Sequence, residues 1–340
     1  MGAIWFDEGQ LADHLHELVG YKAGMAVTLQ QLCDLLSGSG YPDLVVESES
    51  RTTRIRSEDY EDLYFTILHR IGHTAEKHNG IFDLYALTSR LAREHGDAFI
   101  TKLQKIYTTG MLQLIEEASQ SGEKSLDPTL LLIKARKALG HKGMKAMWEM
   151  IETHERVRQL SPHSGGRWIE WKDVIPLDGL FSRSSDKAAH GEFIDQRMID
   201  FLSANSDQLF NMHWRKFEEL VAEYFHRQGY KVELGPGQND DGVDIRVWTA
   251  PQESDATASQ LHLIQCKRQK AKVEKVVVKG LYSDVQFEGA DLGVLVTTSS
   301  LSAGAKKTIH TRGYPIEEVD GDKVVEWLSA LRTPGTGLMR

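Results

Sequence analysis

Gly242-Val243-Asp244-Ile245-Arg246-Val247 and, one loop further on, Leu261-His262-Leu263-Ile264-Gln265-Cys266-Lys267 are the two stretches on which the reading of this chain turns. Both are short and apolar, and polar residues interrupt both at alternate positions. Successive side chains of a strand point to opposite faces, so Val243, Ile245 and Val247 share one face and Asp244 takes the other. An aspartate among β-branched residues runs against strand propensity and asks for a reason. In the second stretch Gln265 and Lys267 share a face. A single loop joins the stretches, so they are expected to be antiparallel neighbours on which Asp244, Gln265 and Lys267 converge.

Upstream, Trp214, Phe217, Leu220, Val221, Tyr224 and Phe225 recur with a 3.6-residue period and predict a helix over 214–228. Glu218 lies on the rim of that apolar stripe, where a carboxylate is costly without a partner. It is read either as a rim residue paired with a lysine or as an acid aimed at the strands. Glu219 and Glu223 are expected to face solvent. Downstream, strands over 291–297 and 316–319 alternate with helices over 273–287, 301–311 and 323–331. Helix, three strands, helix, strand, helix, strand, helix is the grammar of an α/β domain.

The first 160 residues have a different grammar. Apolar positions at helical spacing over 11–18, 29–36, 60–71, 82–91, 99–115, 129–139 and 142–160 predict a mainly helical region. Ser37-Gly38-Ser39-Gly40 and Ser119-Gln120-Ser121-Gly122 punctuate it. Ser161-Pro162-His163-Ser164-Gly165-Gly166 reads as a linker. The expected organisation is a helical domain over 1–160, a linker and connecting helix over 161–204, an α/β domain over 205–332 and a tail over 333–340.

Of the 340 residues, 41% are hydrophobic and 26% charged, ordinary values for a soluble globular protein. No run of 18 apolar residues exists, so no membrane partner is expected, and the N-terminus lacks a secretory pattern. Two cysteines, Cys33 and Cys266, exclude a disulfide framework and suggest a reducing, cytoplasmic setting. The net charge of −9 speaks at first against a nucleic-acid partner. The last 136 residues, however, hold 17 Lys/Arg against 19 Asp/Glu, with a basic cluster at Lys267, Arg268, Lys270, Lys272, Lys275 and Lys279. Clustering matters more than the total for polyanion binding, and Lys270, Lys272 and Lys275 are the expected phosphate contacts.

With these residues in view, a resemblance can be stated. Trp214-Arg215-Lys216-Phe217-Glu218-Glu219-Leu220-Val221, Gly229-Tyr230, Gly242-Val243-Asp244, Gln265-Cys266-Lys267 and Gly289-Ala290-Asp291-Leu292-Gly293-Val294-Leu295-Val296-Thr297-Thr298-Ser299 resemble, in order, the catalytic domain of Mrr-like restriction endonucleases, within the PD-(D/E)xK nuclease superfamily. The resemblance implies a restriction-endonuclease-like α/β/α domain with a mixed central sheet, and a Mg²⁺-dependent (or Mn²⁺-dependent) endonuclease acting on DNA. It implies Asp244 and Gln265 as metal-site residues, Lys267 as the catalytic lysine and Glu218 as the helix acid. The superfamily commonly carries Asp or Glu where this chain has Gln265; the Mrr-like branch accepts Gln. Restriction or anti-phage defence, and a homodimer cutting two strands, are expectations of the same kind. The helical region would then recognise DNA, a protein or a ligand.

Oxygen donors with a lysine are suited to phosphodiester hydrolysis, because a hard cation binds carboxylates and phosphate and a cationic group offsets the growing negative charge. Other signals weigh less. His69 and His73 have a zinc-compatible spacing but lack the glutamate of a zinc-peptidase motif, and they are expected, like His78, on a solvated face. Gly235-Pro236-Gly237 lacks the Lys-Ser/Thr ending of a phosphate loop. Asp240 and Asp241 are read as turn residues, and Trp168 and Trp171 as packing residues. Two further readings are a non-catalytic nucleic-acid-binding protein on the same fold, and a nuclease acting on RNA or branched DNA.

Overall fold

The computed structural model describes residues 2–332, apart from 123–124, 168, 183–187, 189, 238–241 and 250–258. Trp168, Asp240, Asp241 and the tail over 333–340 therefore lie outside the described residues. The N-terminal elements are β1 (Ala3–Phe6), α1 (Gln10–Ala23), β2 (Met25–Ala26), α2 (Leu29–Leu35), α3 (Pro42–Ser48), β3 (Thr53–Arg56) and α4 (Ser57–Arg70). Three long helices follow: α5 (Ile81–His95), α6 (Asp97–Ser121) and α7 (Thr129–Leu160). The connecting segment holds β4 (Ile175–Pro176), α8 (Leu177–Phe181), α9 (Gln196–Ala204) and a 3₁₀ turn over Ser206–Phe210. The C-terminal unit comprises α10 (Trp214–Arg227), β5 (Lys231–Leu234), β6 (Ile245–Trp248), β7 (Leu261–Lys267), α11 (Lys275–Glu288), β8 (Leu292–Thr297), α12 (Ala303–Arg312), β9 (Ile316–Val319) and α13 (Gly321–Leu331).

The five C-terminal strands form one sheet in the order β5-β6-β7-β8-β9. The pairs β5–β6 and β6–β7 are antiparallel, and β7–β8 and β8–β9 are parallel. Side-chain alternation divides the core between the two faces. Ile245, Val247, Ile264, Cys266, Val294 and Val296 pack with Phe217, Leu220 and Val221 of α10 and Val324 and Leu328 of α13. Leu263 and Leu295 pack on the opposite face with Val278, Leu281 and Val285 of α11 and Ala305 of α12. Each such Val, Leu, Ile or Phe side chain, fully buried, contributes about 1.5–3 kcal/mol of transfer free energy. Side-chain caps fix where the helices begin: Ser302 accepts from the Ala305 N–H at 3.2 Å and Asp320 from the Lys323 N–H at 3.1 Å. This is the mixed sheet with helices on both faces that the sequence implied.

The helical region holds two pairings between residues remote in sequence. β1 pairs antiparallel with β3, and β2 pairs parallel with β4, tying residues 175–176 to the first helical layer. Helices α5 to α7 have a separate core, including Leu103, Leu131, Ala135 and Met147. The predicted break between 139 and 142 is Gly140, with φ 72° and ψ −163°, backbone angles closed to a side chain. Gly143 then lies so close to the Ala135 carbonyl and Leu139 that a methyl group has no room there.

Three expectations are corrected. Glu223 is buried, with its Oε2 accepting from the Glu192 and Phe193 N–H groups at 2.9 and 2.8 Å and its Oε1 from Arg227 Nε at 2.6 Å. Glu219 is half-buried against Lys216, at 3.2 Å. The connecting segment covers the face of α10 that helical periodicity alone leaves open. His73 and His78 are buried beyond the end of α4 rather than on a solvated face. Burial, with Lys22 and Arg332 adding to it, pushes His73 down to about 3, and His78 pairs with Asp83.

Candidate active site

Asp244 stands immediately before β6 and already belongs to the ladder, since its N–H donates to the Ile264 carbonyl at 3.0 Å. Its side chain is buried, and Oδ2 accepts from the Cys266 N–H at 2.6 Å. The carboxylate is therefore fixed against β7 at the residue between Gln265 and Lys267. A hydrogen bond to a carboxylate is shorter and about twice as strong as one between neutral groups. β6 begins at Ile245 rather than at the expected Val243 because the chain turns at Gly242, whose φ of 90° suits glycine.

Gln265 is also buried, and its Nε2 donates to the Gly242 carbonyl at 2.8 Å. With the amide nitrogen committed there, Oε1 is buried and accepts no hydrogen bond among the described residues. A buried amide oxygen without a partner costs roughly 1–3 kcal/mol, so this position invites a ligand. Lys267, the last residue of β7, is half-exposed, and its carbonyl accepts from Thr297 Oγ1 at 2.8 Å and from the Thr298 N–H at 3.2 Å. Glu218 is buried on α10, where Arg215 Nη1 donates to its Oε2 at 2.9 Å.

Cys266 lies between Gln265 and Lys267 on β7 and is buried. Its thiol is pushed well above the usual range by burial first, then by the charges of Asp244 and Glu218, while Lys267 opposes the shift. Asp244 and Glu218, from a strand and from the helix across it, thus act on one buried atom together with Lys267. Gln265 joins them through Gly242, two residues before Asp244.

The donor set fits a hard divalent cation. It consists of carboxylate and amide oxygens, with the unpartnered Gln265 Oε1 among them. No three His, Cys, Asp or Glu side chains among the described residues are grouped to hold a metal by themselves.

Lys270, Lys272 and Lys275 are exposed, Lys270 and Lys272 on the loop after β7 and Lys275 at the first turn of α11. Lys270 Nζ also lies 5.6 Å from the centre of the Phe210 ring. Two neighbours escaped sequence reasoning. Arg215 was signalled by its spacing three residues before Glu218, which puts it on the same side of the helix. Asp284 of α11 faces the Gly242 turn: a Cβ there would lie 3.7 Å from Asp284 Oδ2 and 3.5 Å from Gln265 Nε2. No local pattern marks Asp284, because only the packing of α11 under the sheet brings it there.

Comparison with known proteins bears on the domain that carries these residues. Residues 209–328 match the Mrr catalytic family, described as restriction endonuclease, so the resemblance stated for the C-terminal domain is borne out. The uncharacterized protein y4cE of Sinorhizobium fredii (strain NBRC 101917 / NGR234) is 25% identical over 196 residues, 55% of this chain and 49% of that protein. Among solved structures, the MspJI restriction endonuclease in complex with a 27-mer oligonucleotide is 19% identical, with a TM-score of 0.32 over 55% of this chain and 41% of its own. The DNA modification-dependent restriction endonuclease AspBHI is 21% identical, with a TM-score of 0.32 over 50% and 45%. The chain spans about half the length of these relatives or less.

Proposed function

We propose that this protein is a divalent-cation-dependent endonuclease that hydrolyses phosphodiester bonds of DNA, with Asp244, Gln265, Lys267 and Glu218 as its site. The observation that carries the reading is the Asp244 carboxylate held on the Cys266 amide, between Gln265 and Lys267, inside a segment that matches restriction endonucleases. Asp244, Gln265 Oε1 and Glu218 would hold the cation, Mg²⁺ by preference with Mn²⁺ as a substitute. When bound, the cation supplies Lewis acidity at a phosphoryl oxygen and lowers the pKa of water.

The chain's own groups do the rest. The Cys266 N–H keeps the Asp244 carboxylate in one orientation, so nothing need reorganise as charge develops. Arg215 fixes the rotamer of Glu218 and balances its charge in a buried setting. Lys267 orients the attacking water and offsets the negative charge that grows on the phosphoryl oxygens. Lys270, Lys272 and Lys275 hold flanking phosphates, which sets register without reading sequence.

The helical region is assigned the part of a recognition or regulatory module, and the biological role that of restriction or anti-phage defence in the cytoplasm. One such site cuts one strand, so a duplex break calls for a pair of chains. The test is incubation of the full chain with modified and unmodified duplex DNA, RNA and branched junctions, with and without Mg²⁺ or Mn²⁺. Cleavage of DNA that needs the cation and falls roughly 100-fold or more in Asp244→Asn and in Lys267→Ala, with binding retained in Lys267→Ala, is the expected result. Parent-like cleavage by both variants rejects the site, and cleavage of RNA or junctions alone replaces the substrate.

A further inference from the structure

The segment that leaves the candidate site, from Arg268 to Val273, has no helix or strand of its own until its last residue, yet together with Lys267 it is bonded at every second position. Lys267 O accepts from Thr297 Oγ1 and from the Thr298 N–H. The Gln269 N–H donates to Thr298 Oγ1 at 3.0 Å, and the same hydroxyl donates to the Gln269 carbonyl at 3.1 Å. Ala271 O accepts from Ser299 Oγ at 2.8 Å. The Val273 N–H donates to Ser300 O at 2.9 Å, and Val273 O accepts from the Ser302 N–H at 2.9 Å.

Backbone pairing between β7 and β8 ends at Lys267 and Thr297, and it resumes as a single bridge between Val273 and Leu301. Between those points three consecutive hydroxyl side chains, Thr297, Thr298 and Ser299, take the place of the ladder. The hydroxyls of Thr297 and Ser299 lie 3.2 Å apart, and the Ser299 N–H donates to Thr297 Oγ1 at 3.2 Å. Anchoring residues 267, 269, 271 and 273 leaves 268, 270 and 272 in between, and these are Arg268, Lys270 and Lys272, all exposed. Arg268 donates to the Phe210 carbonyl, and Lys270 sits over the Phe210 ring, so the first two cations are gathered beside one residue.

We infer that Thr297, Thr298 and Ser299 are positioning residues: their hydroxyls hold residues 267–273 in place so that Arg268, Lys270 and Lys272 meet the phosphates of a bound nucleic acid as a preformed row. Three flexible cations on an unanchored loop lose freedom on binding, and fixing the backbone beforehand removes that cost from the encounter. The inference rests on the nuclease reading for its link to Lys267, but the row itself can be tested without any cleavage.

The experiment compares the full-length parent with Thr298→Val/Ser299→Ala, Thr298→Val, Thr298→Ser and Arg268→Gln/Lys270→Gln/Lys272→Gln. A labelled duplex in EDTA gives the salt dependence of binding, and trypsin gives the accessibility of the bonds after Arg268, Lys270 and Lys272. The triple glutamine variant changes exposed positions only and should lower the log–log salt slope by about 0.9 for each phosphate it no longer neutralises. Thr298→Val/Ser299→Ala, and to a lesser degree Thr298→Val, should be cut by trypsin in this segment several-fold faster than the parent and bind DNA more weakly. Thr298→Ser, which keeps the hydroxyl, should behave as the parent. In a cleavage assay the loss should fall on KM more than on kcat for Thr298→Val. Parent-like tryptic rates and affinity in Thr298→Val overturn the positioning role, and a parent-like slope in the triple variant overturns the row. Absence of cleavage by the parent on every substrate would defeat the nuclease reading alone, because both binding and proteolysis still decide this one.

Discussion

Gln265→Glu separates a metal-binding amide from a purely structural one, because the structure gives its effects opposite signs without and with a cation. Gln265 Nε2 donates to the Gly242 carbonyl at 2.8 Å, and a glutamate places an acceptor where that donor stood. Loss of a neutral hydrogen bond costs about 0.5–1.5 kcal/mol, and a buried acceptor left facing another adds about 1–3 kcal/mol, so roughly 1.5–4.5 kcal/mol in all. At about 2–4 °C per kcal/mol this is a fall in Tm of roughly 3–18 °C in EDTA. Burial and the nearby Asp244 raise the pKa of the introduced carboxyl above its unfolded value. Its protonated form then fits the Gly242 carbonyl, so the destabilisation should be small at acid pH, grow as pH rises from the unfolded to the folded pKa, and be complete above that. A bound cation reverses the order: the added charge binds it more tightly, and each tenfold gain in affinity returns about 1.4 kcal/mol at saturating cation. The assay is thermal unfolding of parent and variant in EDTA and across a Mg²⁺ titration, at acid and neutral pH. A Mg²⁺-induced rise in Tm no larger in the variant than in the parent refutes the assignment of Gln265 to the cation. An unchanged Tm in EDTA refutes the account of the Gly242 contact.

Other outcomes follow from the same geometry. Neutralising Lys270, Lys272 and Lys275 together should weaken binding equally across DNA sequences and flatten its salt dependence by about 0.9 for every phosphate set free, measured by anisotropy on two unrelated duplexes; an unchanged slope moves the surface elsewhere. Asp200, on α9, is raised to about 6, chiefly by burial, while Gln196 Nε2 donates to its Oδ1 at 2.9 Å. An acid whose folded pKa lies above its unfolded one costs stability when ionised, so stability falls as pH rises from about 4 to 6 and the cost is complete above that. Asp200→Asn should therefore gain on the order of 3 kcal/mol at neutral pH and little at pH 4, read from denaturant unfolding at the two pH values; equal gains at both exclude ionisation as the cause.

Much of the C-terminal sheet was legible because its signals are local. β7 occupies the predicted residues from Leu261 to Lys267, and β9 the predicted four. The two-residue period holds along β7 but misplaces Val243, which packs with Leu263 and α11 rather than with Ile245 and Val247, because the chain turns at Gly242. What escaped depends on contacts between distant parts of the chain. β1 and β3 are short strands whose partners lie some fifty residues apart, so neither carries a turn signal that would announce a pairing. Glu223 looked solvated because nothing in α10 says that residues 192–193 will cover it. At the candidate site, the polar interruptions of the strands stand out in the sequence, whereas the Gln265 oxygen without a partner among the described residues and the approach of Asp284 are products of packing.

The capping of Glu223 has a consequence for anyone who wishes to exchange the front half of this molecule for another. A splice at residue 205, where the change in sequence grammar suggests a seam, would remove the two N–H groups that receive this carboxylate and leave Arg227 as its main neighbour. The same cut removes Gln196, whose Oε1 accepts from Arg227 Nη2 at 2.8 Å and whose Nε2 donates to the Leu331 carbonyl at the far end of the chain. A chimera that transplants only the segment after 205 thus inherits an exposed ionic wound on the back of α10, the helix that also carries Glu218. Grafts joined before Glu192 keep both N–H groups and Gln196 and are the ones to build.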